Sequence, residues 1–296
     1  MEADPVHIYC IGALSRNLEG AEWKDKIWKG DGESGKMVFY FTATGNSLYV
    51  AKQLDEIRIS IAQAVHDGEK VYIAETIGVV CPVFRHEVPP LVREFLTNST
   101  FRTNYFYMIL TYGNRHGGTA ELTKKLLEDL GIHPSYINVV LMADNFLPGF
   151  DMNEQKALDK NVDGQIERIV QDIASGKEYI APVTDADRAA HQEYLDRIVG
   201  MPDDAFSKVY QITDACIGCG ICTKVCPKKC LHMEGQKSMW EPEGCMMCMA
   251  CIHACPMMAI QMRMPEKNPK ARYRNENISI CEIVDANNQW GEEIPE

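Results

Sequence analysis

Nowhere in the 296 residues does an apolar run approach the length of a membrane span, and the start has neither the basic n-region nor the apolar h-region of a secretory signal. A membrane bundle and an exported protein framed by disulfides are therefore not expected, and a reducing cytoplasm suits the twelve cysteines. Basic residues are scarce: 30 Lys and Arg against 42 Asp and Glu leave a formal net charge of −12. Gripping a phosphate backbone needs clustered Lys and Arg, and no DNA-reading motif is appended, so no nucleic-acid partner is expected. Such acidity is typical of soluble carriers that dock on basic patches of a redox protein. The composition, 46% hydrophobic and 24% charged, excludes disorder, and the length allows two domains, each with its own core.

A credible nucleotide loop is also lacking. Gly30-Asp-Gly32-Glu-Ser-Gly35-Lys36 satisfies G-x-G-x-x-G and nearly satisfies G-x-x-x-x-G-K-[ST]. Such a loop must follow a strand and open a helix, whereas this one precedes a strand, and Met37 stands where Ser or Thr would hold magnesium. Residues 1–36 show no helical or strand periodicity, so they are read as an N-terminal extension, either an over-extended start with Met37 as initiator or a loose arm.

What is present is cysteine in one repeated pattern. Cys216, Cys219, Cys222 and Cys226 before Pro227 form C-x-x-C-x-x-C-x-x-x-C-P, and Cys245, Cys248, Cys251 and Cys255 before Pro256 repeat it. The first three cysteines of a run reach one iron-sulfur cube, and the fourth, turned away by proline, reaches the other. One [4Fe-4S] cluster is thus expected on Cys216, Cys219, Cys222 and Cys255, and a second on Cys245, Cys248, Cys251 and Cys226. Structural zinc gives no reason for a third cysteine and a trailing C-P, twice. Cys230 matches Ala259 in the repeat and reads as a small buried residue rather than a ninth ligand. Cys10, Cys81 and Cys281 read as structural. The methionines at 246, 247, 249, 257 and 258 read as space-filling and as an apolar sheath, and His253, between two ligands, as a surface residue.

Upstream, Met37–Phe41 is an apolar run of buried-strand length ending in Thr42-Ala43-Thr44-Gly45-Asn46-Ser47, after which a helical pattern begins. Loop amides, a helix N-terminus and the hydroxyls of Thr42, Thr44 and Ser47 make an anion cradle, and without lysine it suits a terminal monophosphate that is not transferred. Further strands are expected at Ile77–Pro82, Tyr105–Thr111 and Ile137–Met142. Helices are expected from Pro89, over Thr119–Leu130, over Asp151–Ser175 and, capped by Thr184, over Asp185–Ile198. Strands alternating with helices imply a doubly wound parallel sheet, with ligand loops beyond the C-terminal strand edges.

Residues 206–264 resemble bacterial-type two-cluster ferredoxins, and residues 37–180 resemble flavodoxins, whose FMN-phosphate loop is similar to Thr42–Ser47. Pro82-Val-Phe, Ala143-Asp-Asn and Arg272-Tyr-Arg-Asn275 are similar to the flavodoxin-ferredoxin fusion family of anaerobes, apart from Glu276, which stands where that family has proline. The resemblance implies FMN as cofactor, with Phe84 and Tyr112 against the flavin ring and Gly113 and Asn114 hydrogen-bonding to it. Arg85, His86, Arg115 and His116 depart from the small or acidic residues common around flavodoxin flavins.

The expected architecture is an extension (1–36), a flavodoxin-like α/β domain (37–181), a helical linker (182–205), a small α+β two-cluster ferredoxin domain (206–266) and a tail (267–296). In that tail the basic stretch Lys267–Arg274 reads as a solvated face, with docking onto the first domain as the alternative, and Ser279 and Glu282 form a capping box. The expected function is intracellular electron transfer between two [4Fe-4S] clusters and FMN, serving a redox-protein donor or acceptor. A flavin-dependent reductase of a small molecule and a non-catalytic redox sensor remain alternatives.

Overall fold

Strands buried on both faces lose the alternation of a half-wet strand and read as continuous apolar runs. The computed structural model, which describes residues 27–29, 35–55, 57–67, 70–201 and 209–288, shows that arrangement. Six parallel strands form its main sheet: β1 (Lys36–Tyr40), β2 (Arg58–Ser60), β3 (Thr76–Pro82), β4 (Tyr105–Tyr112), β5 (Tyr136–Leu141) and β6 (Tyr179–Ile180). Their spatial order is 2-1-3-4-5-6. Met37, Phe39, Ile77, Val79, Met108 and Leu110 face one side, against Leu91, Val92, Phe95 and Leu96 of α2 (Pro90–Thr97). The alternate residues Val38, Tyr40, Val80 and Ile109 face the other, against Leu48, Val50 and Ala51 of α1 (Asn46–Leu54).

The expected strands are present, and the edge strands β2 and β6 are the ones periodicity missed, being three and two residues long. A second parallel sheet of Ile27–Lys29, Lys70–Ile73 and Ser99–Arg102 was also unforeseen. Residues 27–29 are therefore built into a sheet, although the rest of the extension up to residue 34 lies outside the described residues, as does Cys10. Helix α3 (Thr119–Asp129) forms as expected. The single helix expected over Asp151–Ser175 is instead two, α4 (Met152–Ala157) and α5 (Val162–Ala174). The break has a cause: Asn161 is left-handed at φ 47°, and Lys160 turns inward to donate to the Met142 and Gly113 carbonyls at 2.7 and 2.9 Å.

The linker helix α6 (Asp185–Ile198) carries a complete capping box between Thr184 and Asp187. Beyond it, β7 (Tyr210–Ile212) pairs antiparallel with β10 (Ile260–Met262), and β8 (Leu231–Glu234) with β9 (Lys237–Trp240). The cysteine repeat is mirrored in the backbone. Gly218, Gly220 and Lys229 are left-handed, and so are Met247, Met249 and Met258 at the matching positions.

One hydrophobic cluster runs from the sheet face through Val225, Leu231, Ile252 and Ile260 of the second unit, so the two units share a core where separate ones were expected. The tail closes it. Ile283, Val284 and Ala286 of α7 (Ile280–Asn287) are buried, and the Ser279–Glu282 capping box is formed. The Ser60 hydroxyl donates to the Ala286 carbonyl, and buried Asn287 donates to Thr42 O at 3.0 Å and Val225 O at 3.3 Å. Lys267–Arg274 docks on the first unit, but not through its charges. Lys267 donates its backbone N–H to Leu147 O at 2.9 Å, Ala271 and Tyr273 are buried, and Arg272 spends its charge on buried Glu266 at 2.8 Å.

Candidate cofactor cavity and cluster sites

In a 2-1-3-4-5 sheet the chain reverses direction between β1 and β3, which leaves a crevice beyond their C-terminal ends. There a cavity of about 460 Å³ opens. Thr42, Ala43, Thr44, Asn46 and Ser47 line it, together with Phe84, Tyr112, Gly113 and Asn114. Gly45 lies beneath the loop at φ 100°, where an added Cβ would come within 3.0 Å of both Asn275 and Ile278 Cβ atoms. A residue with a side chain would be both strained and crowded there.

The cradle fits a phosphate. No side chain caps α1, and its first turn holds no acidic residue, so its orphan N–H groups stay available. Thr42 Oγ1 accepts from Gly45 N at 3.1 Å and Thr44 Oγ1 from Asn145 Nδ2 at 2.9 Å, which leaves each hydroxyl proton free to donate. Ser47 shares a 2.9 Å hydrogen bond with Thr111.

At the other end, Phe84 and Glu87 exchange backbone hydrogen bonds of 2.8 and 3.0 Å across a two-residue turn. Its central residues Arg85 and His86 have φ of 54° and 69°, a turn normally given to Asn and Gly. The Thr119 hydroxyl pins it by donating to the His86 carbonyl. Tyr112 packs edge-on against His116 at 5.1 Å, and Gly113 backs onto Asp144 with no room for a Cβ. Burial pushes the Asp144 carboxyl above the usual carboxylate range, and burial also lowers Lys160.

The eight cysteines gather as the spacing implies. Cys216, Cys219, Cys222 and Cys255 line one small enclosed pocket. Cys226, Cys245, Cys248 and Cys251 act on one another electrostatically, and burial pushes the Cys248 and Cys251 thiols far above the ordinary range. Thiolates crowded out of water need a cation, so this donor set fits an iron-sulfur cluster. The buried Cys230 thiol lies 3.5 Å from the Lys228 and Glu243 carbonyls, and its proximity holds the Cys226 and Cys245 thiols below the ordinary range. Its N–H donates to Cys226 Sγ at 3.2 Å, as Ala259 N–H does to Cys255 Sγ. Cys81, fully buried in the first unit, is part of its core. The methionines divide: Met246, Met247 and Met249 line the large cavity, while Met257, 46% exposed, lines the pocket of Cys216, Cys219, Cys222 and Cys255.

His253 corrects the expectation of a surface residue. It is buried, and burial lowers its pKa to about 4. The Tyr273 N–H donates to its Nδ1 at 3.0 Å, which leaves the proton on Nε2 to donate to Asn145 O at 2.9 Å. Asn145 also holds Thr44, and the Tyr273 hydroxyl donates to Asn46 Oδ1 at 2.7 Å, so His253 ties the cysteine-bearing unit to both sides of the cradle.

Several residues of the site escaped sequence reasoning. Lys160, behind the cavity lining, spans the loops after β4 and β5. Ala190, Glu193, Tyr194 and Arg197 bring α6 in as a wall of the cavity rather than as a spacer. Cys248, expected only as a cluster ligand, lines the same cavity.

The strand order, the cavity at the reversal and the paired cysteine sets define a flavodoxin-like α/β unit followed by a small ferredoxin-like unit. Residues 208–256 match the family described as the 4Fe-4S dicluster domain. Over 54 residues, 17% of this chain and 68% of the relative, the sequence is 43% identical to the ferredoxin 7Fe of Hydrogenibacillus schlegelii. The chain belongs to these 4Fe-4S ferredoxins, and it carries iron-sulfur electron-transfer chemistry next to its flavodoxin-like unit. Among solved structures, a Bacteroides uniformis ATCC 8492 chain described as a flavoprotein is 16% identical with a TM-score of 0.31, covering 38% of this chain and 94% of that one. The Trp repressor binding protein of Bacillus subtilis is 9% identical with a TM-score of 0.26, covering 36% and 83%. The flavodoxin-like assignment rests on strand order and cavity, not on these overlaps. No helix among the described residues is long and apolar enough to cross a membrane.

Proposed function

We propose that the protein is an intracellular electron carrier that joins two [4Fe-4S] clusters to one FMN. The observation that carries this reading is the shared wall: Cys248, flanked by Met246, Met247 and Met249, lines the cavity that also holds the phosphate cradle and the Phe84 and Tyr112 loops. When bound, clusters pass single electrons and FMN holds one or two, a pairing that converts between one- and two-electron partners. Cys245, Cys248, Cys251 and Cys226 would hold the cluster nearer the cavity, and Cys216, Cys219, Cys222 and Cys255 the outer one. Thr42 to Ser47 would take the FMN phosphate, with Phe84 and Tyr112 against the ring and Gly113 and Asn114 at its polar edge.

Ile217, 61% exposed, and Met257 lie beside the outer set and offer an apolar surface where a redox protein docks. Buried Met249 and Ile252 keep water from the inner set. Iron, acid-labile sulfide and flavin content after anaerobic purification tests the reading. About eight irons and one FMN per chain are expected; eight irons without flavin would sink it, and seven would correct the cluster assignment. A reductase is the second reading, favoured by the wall that α6 adds to the cavity. Many turnovers with NADH, NADPH or quinones would support it, whereas a carrier is reduced only stoichiometrically.

A further inference from the structure

The cavity is charged at the end away from its phosphate cradle. No Lys or Arg belongs to Thr42–Ser47, yet Arg85, Arg115 and Arg197 all line the far end, in a chain whose formal net charge is −12. Among the described residues, Asp144 and Glu193 are the only carboxylates in that lining. Asp144 is already engaged by Phe146 N–H at 2.9 Å, and its pKa is raised by burial. Arg115 and Arg197 make no hydrogen bond or ion pair among the described residues. Arg85 donates to Met247 Sδ at 3.3 Å.

Backbone conformation adds an independent observation. Arg85 and His86 both occupy left-handed positions that glycine would fill without strain. Strain of this kind at a cavity is kept where the side chain is needed. His86 Nδ1 is buried without a partner, and its ring leans on His191 and Tyr194 of α6 at 5.7 Å each. Helix α6 has no buried residue of its own. Arg188 clamps it to Glu121 by two hydrogen bonds of 2.7 and 2.9 Å, and His116 lies 3.6 Å from Asp187. The linker is thus held over the cavity by polar contacts, and it delivers Tyr194 and Arg197 to the same space.

We infer that this end of the cavity is a binding site for a small planar organic carboxylate, seated over the flavin-ring position by the forks of Arg115 and Arg197, with Arg85 and His86 beside it. Guanidinium forks match a carboxylate in two parallel hydrogen bonds, which an ammonium cannot do, and an aromatic floor accepts a planar ligand. The inference rests on the FMN reading and deepens it by giving the site a ligand class.

The test uses the full chain, purified anaerobically and assayed for flavin. Benzoate is titrated into the oxidised protein while the flavin absorption band is followed, and benzamide, its neutral isostere, is titrated in parallel. Benzoate is expected to perturb the band saturably and to bind at least tenfold more tightly than benzamide. Arg115→Ala with Arg197→Ala should weaken benzoate at least tenfold, while Arg197→Lys, which keeps the charge but loses the fork, should recover only part of that. A flavin-loaded protein that ignores benzoate, or binds benzamide equally well, overturns the inference alone. A chain that purifies and reconstitutes without flavin overturns the FMN reading and this inference with it.

Discussion

Replacing His253 with leucine removes in one step the acceptor for the Tyr273 N–H and the donor for the Asn145 carbonyl, with little change in side-chain volume. Both backbone groups would be left buried between the two units. An unpaired buried polar group costs about 1–3 kcal/mol, so the pair should cost roughly 2–6 kcal/mol. At about 2–4 °C per kcal/mol for a chain of this size, the melting temperature should fall by several to roughly twenty degrees. The effect should also reach the cradle, because Asn145 holds Thr44 at 2.9 Å and Tyr273 holds Asn46 at 2.7 Å. Loss of either contact loosens the phosphate loop, and FMN should bind about tenfold more weakly, which corresponds to about 1.4 kcal/mol. Anaerobic thermal unfolding with clusters intact, followed by FMN titration of the flavin-free protein, reads both quantities. A melting temperature within a degree of the parent and an unchanged FMN affinity would refute the reasoning, since the two groups would then have found water.

Lys160→Met should slacken the loops after β4 and β5, because it deletes donations to Gly113 O, Met142 O and Gln155 Oε1. FMN affinity should fall at least tenfold with the fold retained by far-UV circular dichroism. Met247→Gly relieves a left-handed residue at φ 55° but opens the wall between the inner cysteines and the cavity. Its melting temperature should hold or rise slightly while FMN binding weakens, and a marked loss of stability would contradict the strain argument. Burial first, then His191, Arg115 and His116, lower the pKa of His86 from 6.5, with Asp187 opposing. A lowered histidine contributes stability above pH 6.5 that is lost as the pH falls below it, so amide exchange in α6 should quicken, relative to intrinsic rates, between pH 7.5 and 5.5. Identical protection at both values would count against that packing.

What the sequence determined by itself was everything carried by local pattern. Strand runs without alternation announced a sheet buried on both faces, and the Thr184 cap and the Ser279 capping box announced two helix starts, each within four residues of chain. The cysteine repeat announced which eight cysteines the fold gathers into two sets of four. Met37–Ser47 likewise carried a strand, a turn and a helix start in one unbroken stretch. Edge strands β2 and β6 were too short to show a period, and nothing local marked the break at Lys160.

Only the tertiary structure decided which cysteine set faces the cavity, that α6 is one of its walls, and that His253 is a buried tie between units. Asn287 reaches Thr42 across 245 residues of chain, and His253 reaches Asn145 across 108. A side chain's partner at that distance is chosen by how helices pack and where the chain returns, and a histidine or an arginine carries no local mark of whether it will meet water, a carbonyl or a cavity.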